Sequence, residues 1–345
     1  MTEFDLTGLG WSARFARQLD DDDAGLTPVR LSEVHRDRLR ALTPEGTLTL
    51  LPSESTGAYA VGDWVLSDGT RAIRRLEPSS DLSRRAAGRE AKLQRIAANV
   101  DTLGIVTSCN ADFNIARLER YLALAHTAGC LPLVVLTKAD MAKDAGDYLR
   151  RAQRLSPLVT ALALDATDPD EVSRLAPWCR DGQTLALVGS SGVGKTTLRN
   201  ALTGEHELTR GIREDDAKGR HTTTARSLVP TTTGGWLIDT PGMRELQLAE
   251  ADEGIGAVFE DIEDLARQCR FRDCAHAGEP GCTVQAAIDS GDLDPDRLAR
   301  WEKLRREDRY NSETVAEARA RGKAFGKMVR EVSTIKKRRR DPGAP

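Results

Sequence analysis

At 345 residues the chain can bury a core and hold two or three domains. Its 39% hydrophobic and 30% charged residues argue against a disordered chain, and no apolar run approaches the roughly 18 residues of a membrane-spanning helix. The net charge of −3 argues against a uniformly basic nucleic-acid binder, but charge is segregated: Asp20 to Asp23 form an acidic run, and Lys336, Lys337, Arg338, Arg339 and Arg340 a basic one. Such a basic run is either a solvated tail or the footprint of phosphate contact.

The opening MTEFDLTGLGWSARF has no apolar segment behind a basic start, so no secretory leader is expected and the predicted location is cytoplasmic. Up to about residue 82, TLTLLP, GAYAVGDWVLSDG and RAIRRLEP alternate in polarity between Gly, Pro and Asp punctuation. That pattern predicts a small all-β module, with an OB-type barrel as one candidate. From about 90 to 248 apolar strands alternate with amphipathic helices: strands at DTLGIVTS, LPLVVLTKAD, LVTALALD and TLALVGSSG, helices at FNIARLERYLALAHTAG, AGDYLRRAQRL, 169–178 and GKTTLRNALTG. This predicts a mostly parallel sheet covered on both faces. Beyond 250 the pattern is helical, ending in charged stretches such as LARWEKLRREDRY and TVAEARARGKAFGKMVREV.

Residues 189–197, GSSGVGKTT, fit the phosphate-loop pattern between an apolar strand and a helix. Backbone amides of Gly189, Ser190, Ser191, Gly192, Val193, Gly194 and Thr197 would converge on phosphate oxygens at a helix N-terminus. Lys195 would reach the β- and γ-phosphates and Thr196 would offer its hydroxyl to Mg²⁺. Downstream, Asp239 and Gly242 form a D-x-x-G at a strand end, and GRHTTT at 219–224 supplies Thr222 and Thr223 as switch threonines for Mg²⁺.

The base-reading T-K-x-D precedes the phosphate loop, as Thr137, Lys138, Ala139 and Asp140. Asp140 would accept both hydrogens on one edge of guanine, and the Lys138 stem would cover the ring. Adenine would leave that carboxylate unpaired, so a kinase-type reading with ATP leaves the motif without a role. The motif order is therefore that of a circularly permuted GTPase. Permutation keeps the sheet while rejoining surface connections. The segment after Asp239 then leads straight into the C-terminal domain, which nucleotide state could move.

Of six cysteines, Cys109, Cys130 and Cys179 sit in apolar surroundings and are expected to pack as small hydrophobes. The others cluster with a histidine as Cys269, Cys274, His276 and Cys282, spaced C-x4-C-x-H-x5-C. Three thiolates and an imidazole make a closed tetrahedral set for one structural Zn²⁺, which would present Arg270 and Arg272 toward RNA.

Together, VGDWV at 61–65, AANVD at 97–101, TKAD, GSSGVGKTT, GRHTTT, DTPGMRE at 239–245 and the Cys/His cluster resemble the family of ribosome small-subunit-dependent GTPases, RsgA. The resemblance implies an OB-type barrel (1–85, binding RNA or ribosome), a circularly permuted α/β P-loop GTPase domain (90–250), an α-helical zinc-binding domain (251–335) and a basic tail (336–345). It further implies GTP bound and hydrolysed to GDP with Mg²⁺, turnover stimulated by the 30S subunit and its rRNA, and a role in late 30S maturation by a monomer that avoids membranes. Thr137 stands where asparagine is commoner, which predicts a looser guanine pocket, and the base-supporting segment is the weak LALDATD. Met243 occupies the place where Ras-like enzymes carry a water-orienting glutamine, so the resemblance passes the catalytic role to His221. The competing reading is a GTP-regulated RNA-binding scaffold with negligible hydrolysis, with Met243 in its favour.

Overall fold

The computed structural model of the chain describes residues 5–85, 93–157, 159–205, 226–239 and 251–312. The first strands are β1 (Thr27–Val34), β2 (Leu39–Thr43), β3 (Gly46–Pro52), β4 (Trp64–Ser67) and β5 (Arg71–Arg75). They close a five-stranded barrel in the order β1-β2-β3-β5-β4, sealed by a parallel β3–β5 pair among antiparallel neighbours. Register shifts at Leu31/Glu33 and Leu66/Ser67 bend the strands enough to close it. Val29, Leu31, Leu39, Ala41, Leu50, Val65 and Ala72 fill its interior. Ahead of it, a short helical turn, α1 (Ala13–Ala16), sets Phe15 and Trp11 against Trp64, so the N-terminal segment packs on the barrel.

Strand alternation explains how the barrel is attached. In β1, Val29 and Leu31 point into the barrel, so Arg30 points out of it; in β4, Val65 points in while Trp64 and Leu66 point out. The outward positions are nevertheless buried: Trp11 and Phe15 of the N-terminal segment pack on Trp64, and Arg30 reaches a second layer. β6 (Asp81–Arg85) and β7 (Leu93–Ala98) form an antiparallel pair that leads into that layer.

That layer is a six-stranded sheet of β8 (Thr102–Ser108), β9 (Leu131–Thr137), β10 (Thr160–Ala163), β11 (Thr184–Val188), β12 (Ser227–Pro230) and β13 (Trp236–Asp239). Its order is β10-β9-β8-β11-β13-β12, parallel except for the edge strand β12. β8 and β11 are buried along their whole length, as central parallel strands covered on both faces must be. The connecting helices are α2 (Ile115–Thr127), α3 (Ala145–Gln153), α4 (Pro169–Ser173) and α5 (Lys195–Thr203). The helix expected over 169–178 stops at Ser173 and resumes as a 3₁₀ turn at Ala176–Trp178, where Pro177 disfavours helical geometry at the residue before it.

The barrel sits at the N-terminal ends of the parallel strands. Arg30 donates to Thr184 Oγ1, at the start of β11, at 2.6 Å, to Leu9 O at 2.6 Å and to Asn99 O at 3.3 Å. Trp236, which begins β13, donates its indole N–H to Gly8 O at 2.8 Å.

The C-terminal elements are helical among the described residues: α6 (Asp252–Val258), α7 (Glu260–Arg267), α8 (Thr283–Ser290) and α9 (Pro295–Ser312). They pack on α2, which is buried toward the sheet and toward these helices alike. α6 approaches α2 so closely that a Cβ on Gly254 would lie 2.2 Å from Ala123 O, so only glycine fits there. Glu119 of α2, fully buried, accepts from Arg300 Nε at 2.8 Å and Arg297 Nη1 at 3.2 Å. The expected lever after Asp239 falls on residues 240–250, outside the described residues. At the far end of that segment Ala251 N–H donates to Asp308 Oδ1 at 2.8 Å.

Candidate functional site

The C-terminal ends of β8, β9, β10, β11 and β13 lie along one edge of the sheet, opposite the barrel. The chain runs outward from β8 through β9 to β10, then returns to β11 on the other side of β8. Crevices at such a reversal are where open α/β sheets bind ligands. The loop after β11 opens here. Gly189 adopts φ +142°, and a Cβ on it would lie 2.1 Å from Val106 O, so the backbone can pass β8 this closely only as glycine. Gly192 and Gly194 are also left-handed, and Lys195 starts α5 immediately afterwards. The first amides of a nine-residue helix thus face the crevice with the partial positive charge of its N-terminus. Lys195 Nζ donates to Gly189 O at 2.8 Å and also to Ser190 O. Ser191 and Thr196 are exposed, Ser190 and Thr197 half-buried, and Val193 buried as the anchor of the loop.

The base-reading motif is tied to this loop. Thr137, at the end of β9, is fully buried and its hydroxyl donates to Val193 O at 2.6 Å, with Thr107 O at 3.2 Å as a second acceptor. Lys138, with φ +57°, donates from Nζ to Gly192 O at 2.9 Å. Thr137 thus joins the base-reading segment to the phosphate loop. Ala139 N–H donates to Leu164 O at 3.3 Å, which places the loop after β10 against the motif. In that loop Asp165 accepts from the Thr167 amide and hydroxyl at 2.8 and 2.7 Å, so LALDATD forms a self-bonded turn. Asp140 is exposed, and burial first, then its negative charge, push the nearby Cys109 thiol up. Asp239 ends β13, the neighbour of β11. Thr222, Thr223, His221, Gly242 and Met243 lie outside the described residues.

A second cluster lies in the helical region. Ligand atoms of Cys269, Cys274, His276 and Cys282 all lie within 4.8 Å of one another. Tetrahedral zinc with Zn–S near 2.3 Å and Zn–N near 2.0 Å requires S···S of about 3.8 Å and S···N of about 3.5 Å. Cys269 and Cys282 Sγ are 3.9 Å apart, and His276 Nδ1 lies 3.7 and 3.5 Å from them. The donor set therefore fits the ion. Its surroundings are built around it: Glu279 accepts from the Ala275 and Ala277 amides at 3.0 and 2.8 Å, and His276 packs against the Trp301 ring at 5.8 Å. Without a cation the thiols ionise unequally: burial opposes the Cys269 thiolate, but hydrogen bonds from the Thr283 and Val284 backbone and from the Cys282 and Cys274 thiols hold its pKa below the ordinary value. A hydrogen bond from the His276 backbone favours the Cys274 thiolate, yet burial and the neighbouring Cys282 and Cys269 thiols push it up to about 11. Cys109, Cys130 and Cys179 are buried singly, as small hydrophobes.

A sequence model of the RsgA GTPase matches residues 75–249. The small ribosomal subunit biogenesis GTPase RsgA of Mesorhizobium japonicum is 54% identical over 315 residues, covering 89% of this chain and 91% of its own. A protein from Vibrio vulnificus, the small ribosomal subunit biogenesis GTPase RsgA 2, is 49% identical over 338 residues, 97% of each. Among solved structures, YjeQ from Thermotoga maritima matches with a TM-score of 0.62 at 22% identity, covering 81% of this chain and 97% of that one. YloQ, described as a circularly permuted GTPase, matches at 0.58 and 22% identity, covering 86% and 99%. At that identity the two structures speak to the fold: an OB-type barrel, a permuted P-loop domain and a helical C-terminal region.

Proposed function

The chain belongs to the RsgA GTPase family and is a GTP hydrolase, and we propose that it turns over slowly alone and faster on the small ribosomal subunit, whose late maturation it assists. The observation that best supports a place for the T-K-x-D motif in the nucleotide site is the double link from Thr137 and Lys138 to Val193 and Gly192, which makes base reader and phosphate loop one unit. In this reading Asp140 pairs with guanine, Lys138 covers the ring, and the amides of residues 189–197 with Lys195 hold the phosphates. Thr196, Asp239 and one of Thr222 or Thr223 serve Mg²⁺, whose charge offsets that developing on the phosphates, and the Gly242 amide meets the γ-phosphate. His221 orients the attacking water in place of the glutamine that Met243 replaces. Cys269, Cys274, His276 and Cys282 hold a structural zinc. The domains proposed are 1–85, 90–250, 251–335 and a basic tail at 336–345, in a cytoplasmic monomer that touches rRNA. No helix among the described residues is long and apolar enough to cross a membrane.

The relatives' names as GTPases weigh against the scaffold reading. The test is GTP turnover titrated with purified 30S subunits, for wild type and His221→Ala, alongside GTP affinity. Wild type should accelerate with subunits; His221→Ala should lose about a hundredfold or more of that stimulated rate at unchanged affinity. An unstimulated wild type would remove the ribosome from the reading, and an undiminished variant would remove His221 from it.

A further inference from the structure

Residues 270–273, Arg-Phe-Arg-Asp, are all exposed and lie between two of the proposed zinc ligands, Cys269 and Cys274. The segment is held as a closed turn: Arg270 N–H donates to Gly281 O at 3.1 Å and Cys274 N–H to Phe271 O at 3.3 Å. Phe271 keeps 44% of its surface in water although Arg270 lies over its ring, guanidinium carbon to centroid 5.4 Å. The other phenylalanine among the described residues of this helical region, Phe259, is fully buried. An aromatic ring contributes most when buried, so one held out on a rigid turn forgoes that contribution in the free protein. We propose that this turn is a stacking platform for an unpaired RNA base, with Phe271 as its face and Arg270 and Arg272 as its phosphate contacts. The proposal rests on the small-subunit reading above and names the element of RNA that this surface takes.

The chemistry favours RNA over a protein pocket. Every base has a π-face, and stacking on an aromatic side chain accounts for a large share of single-strand affinity. Arg270 lies over one face of the ring and the exposed Arg272 follows it in sequence, so the turn carries two cations for the phosphates of a strand whose base stacks on the ring. A protein pocket would accept any apolar side chain of similar size, whereas a stacked base requires an aromatic one.

The test uses the full-length, zinc-loaded chain and a fluorescent single-stranded 12-mer oligoribonucleotide, with the same sequence as a duplex for comparison. Phe271→Leu should weaken single-strand binding about tenfold with duplex binding unchanged, and Phe271→Trp should restore it to within about twofold. Arg272→Ala should lower the slope of log affinity against log salt by about one. Basal GTP turnover and zinc content should be unchanged in all three. Leucine binding as tightly as phenylalanine, or losing single strand and duplex alike, would overturn the platform. Failure of 30S subunits to stimulate wild-type turnover would instead overturn the small-subunit reading, while leaving the oligonucleotide result to stand by itself.

Discussion

The joints of the barrel and of the helical C-terminal region to the nucleotide-binding domain each contain a buried charge, and the two treat that charge differently. At the barrel joint the charge is a cation. Arg30, 1% exposed, is satisfied by neutral oxygens of Leu9, Asn99 and Thr184, and burial pushes its guanidinium down to about 10 despite the nearby charge of Asp101. At the other joint the charge is an anion. Glu119 faces two arginines whose side chains remain 15% and 23% exposed, and each has a further carboxylate: Asp261 for Arg297 at 2.7 Å, Asp294 for Arg300 at 4.0 Å. The first joint is sequestered and has little redundancy. The second is wetter and shared among several charges, the composition expected of a joint that can be disturbed without collapse.

The sharpest way to separate the joints is to remove the zinc proposed for the Cys/His cluster. Structural zinc contributes folding free energy of about 10–16 kcal/mol in small domains, and the cluster lies against both helices tested, with Cys282 at the N-terminus of α8 and His276 on the Trp301 ring of α9. Chelation should abolish amide-exchange protection in α8 and the start of α9, while β1, β4 and β11 keep theirs. Loss of protection in β1 as well would show that the barrel joint depends on the zinc region and would erase the contrast.

The next largest effect is expected at Arg30. Arg30→Met retains an apolar stem but leaves Leu9 O, Asn99 O and the Thr184 hydroxyl without their donor, and Asp101 without its nearby cation. Breaking a buried charged network of this kind costs about 3–5 kcal/mol. Urea unfolding should show that loss in the barrel and β11 together. A change below about 1 kcal/mol would mean that the barrel is held by its apolar contacts at Trp64 and Leu66 alone.

Neither joint was legible in the sequence, and the reason is physical. Arg30 occupies an outward position of an alternating strand, and Glu119 sits in the helical stretch LERYLALA; both read as ordinary surface charges until a segment distant in sequence covers them. The apolar runs of β8, β9 and β11 were legible, because strands buried on both faces keep their polar residues to the ends and leave the middle uninterrupted. β12 was not: four residues ending in proline at a sheet edge carry too little pattern. The β6–β7 pair was hidden by its arginines. Of the site, the phosphate loop and the T-K-x-D string were legible as motifs. The hydroxyl link from Thr137 to Val193 was not, since a string reports a residue's type and not its partner.

The smallest effect, and the one that tests the contrast by its sign, is at Glu119. Burial is the largest influence on its carboxyl and pushes it up, against the opposing pull of Arg300 and Arg297. A carboxyl raised in the folded state contributes stability that is fully present below its unfolded value, near 4.5, and lost as pH rises through the raised folded value. Glutamine is a close mimic of the protonated form. Because Arg297 and Arg300 keep other carboxylates and water, Glu119→Gln should change stability by no more than about 1 kcal/mol at acidic pH. Between pH 4.5 and neutrality the wild type should then lose ground against the variant. Asp63 and Asp101 at the barrel are raised in the same sense, so the informative quantity is the difference in Tm between the two proteins at each pH, in which their contributions cancel. A variant that loses ground as pH rises would mean that the two arginines outweigh burial. The second joint would then be a true ion-pair lock, as dependent on its single charge as the first.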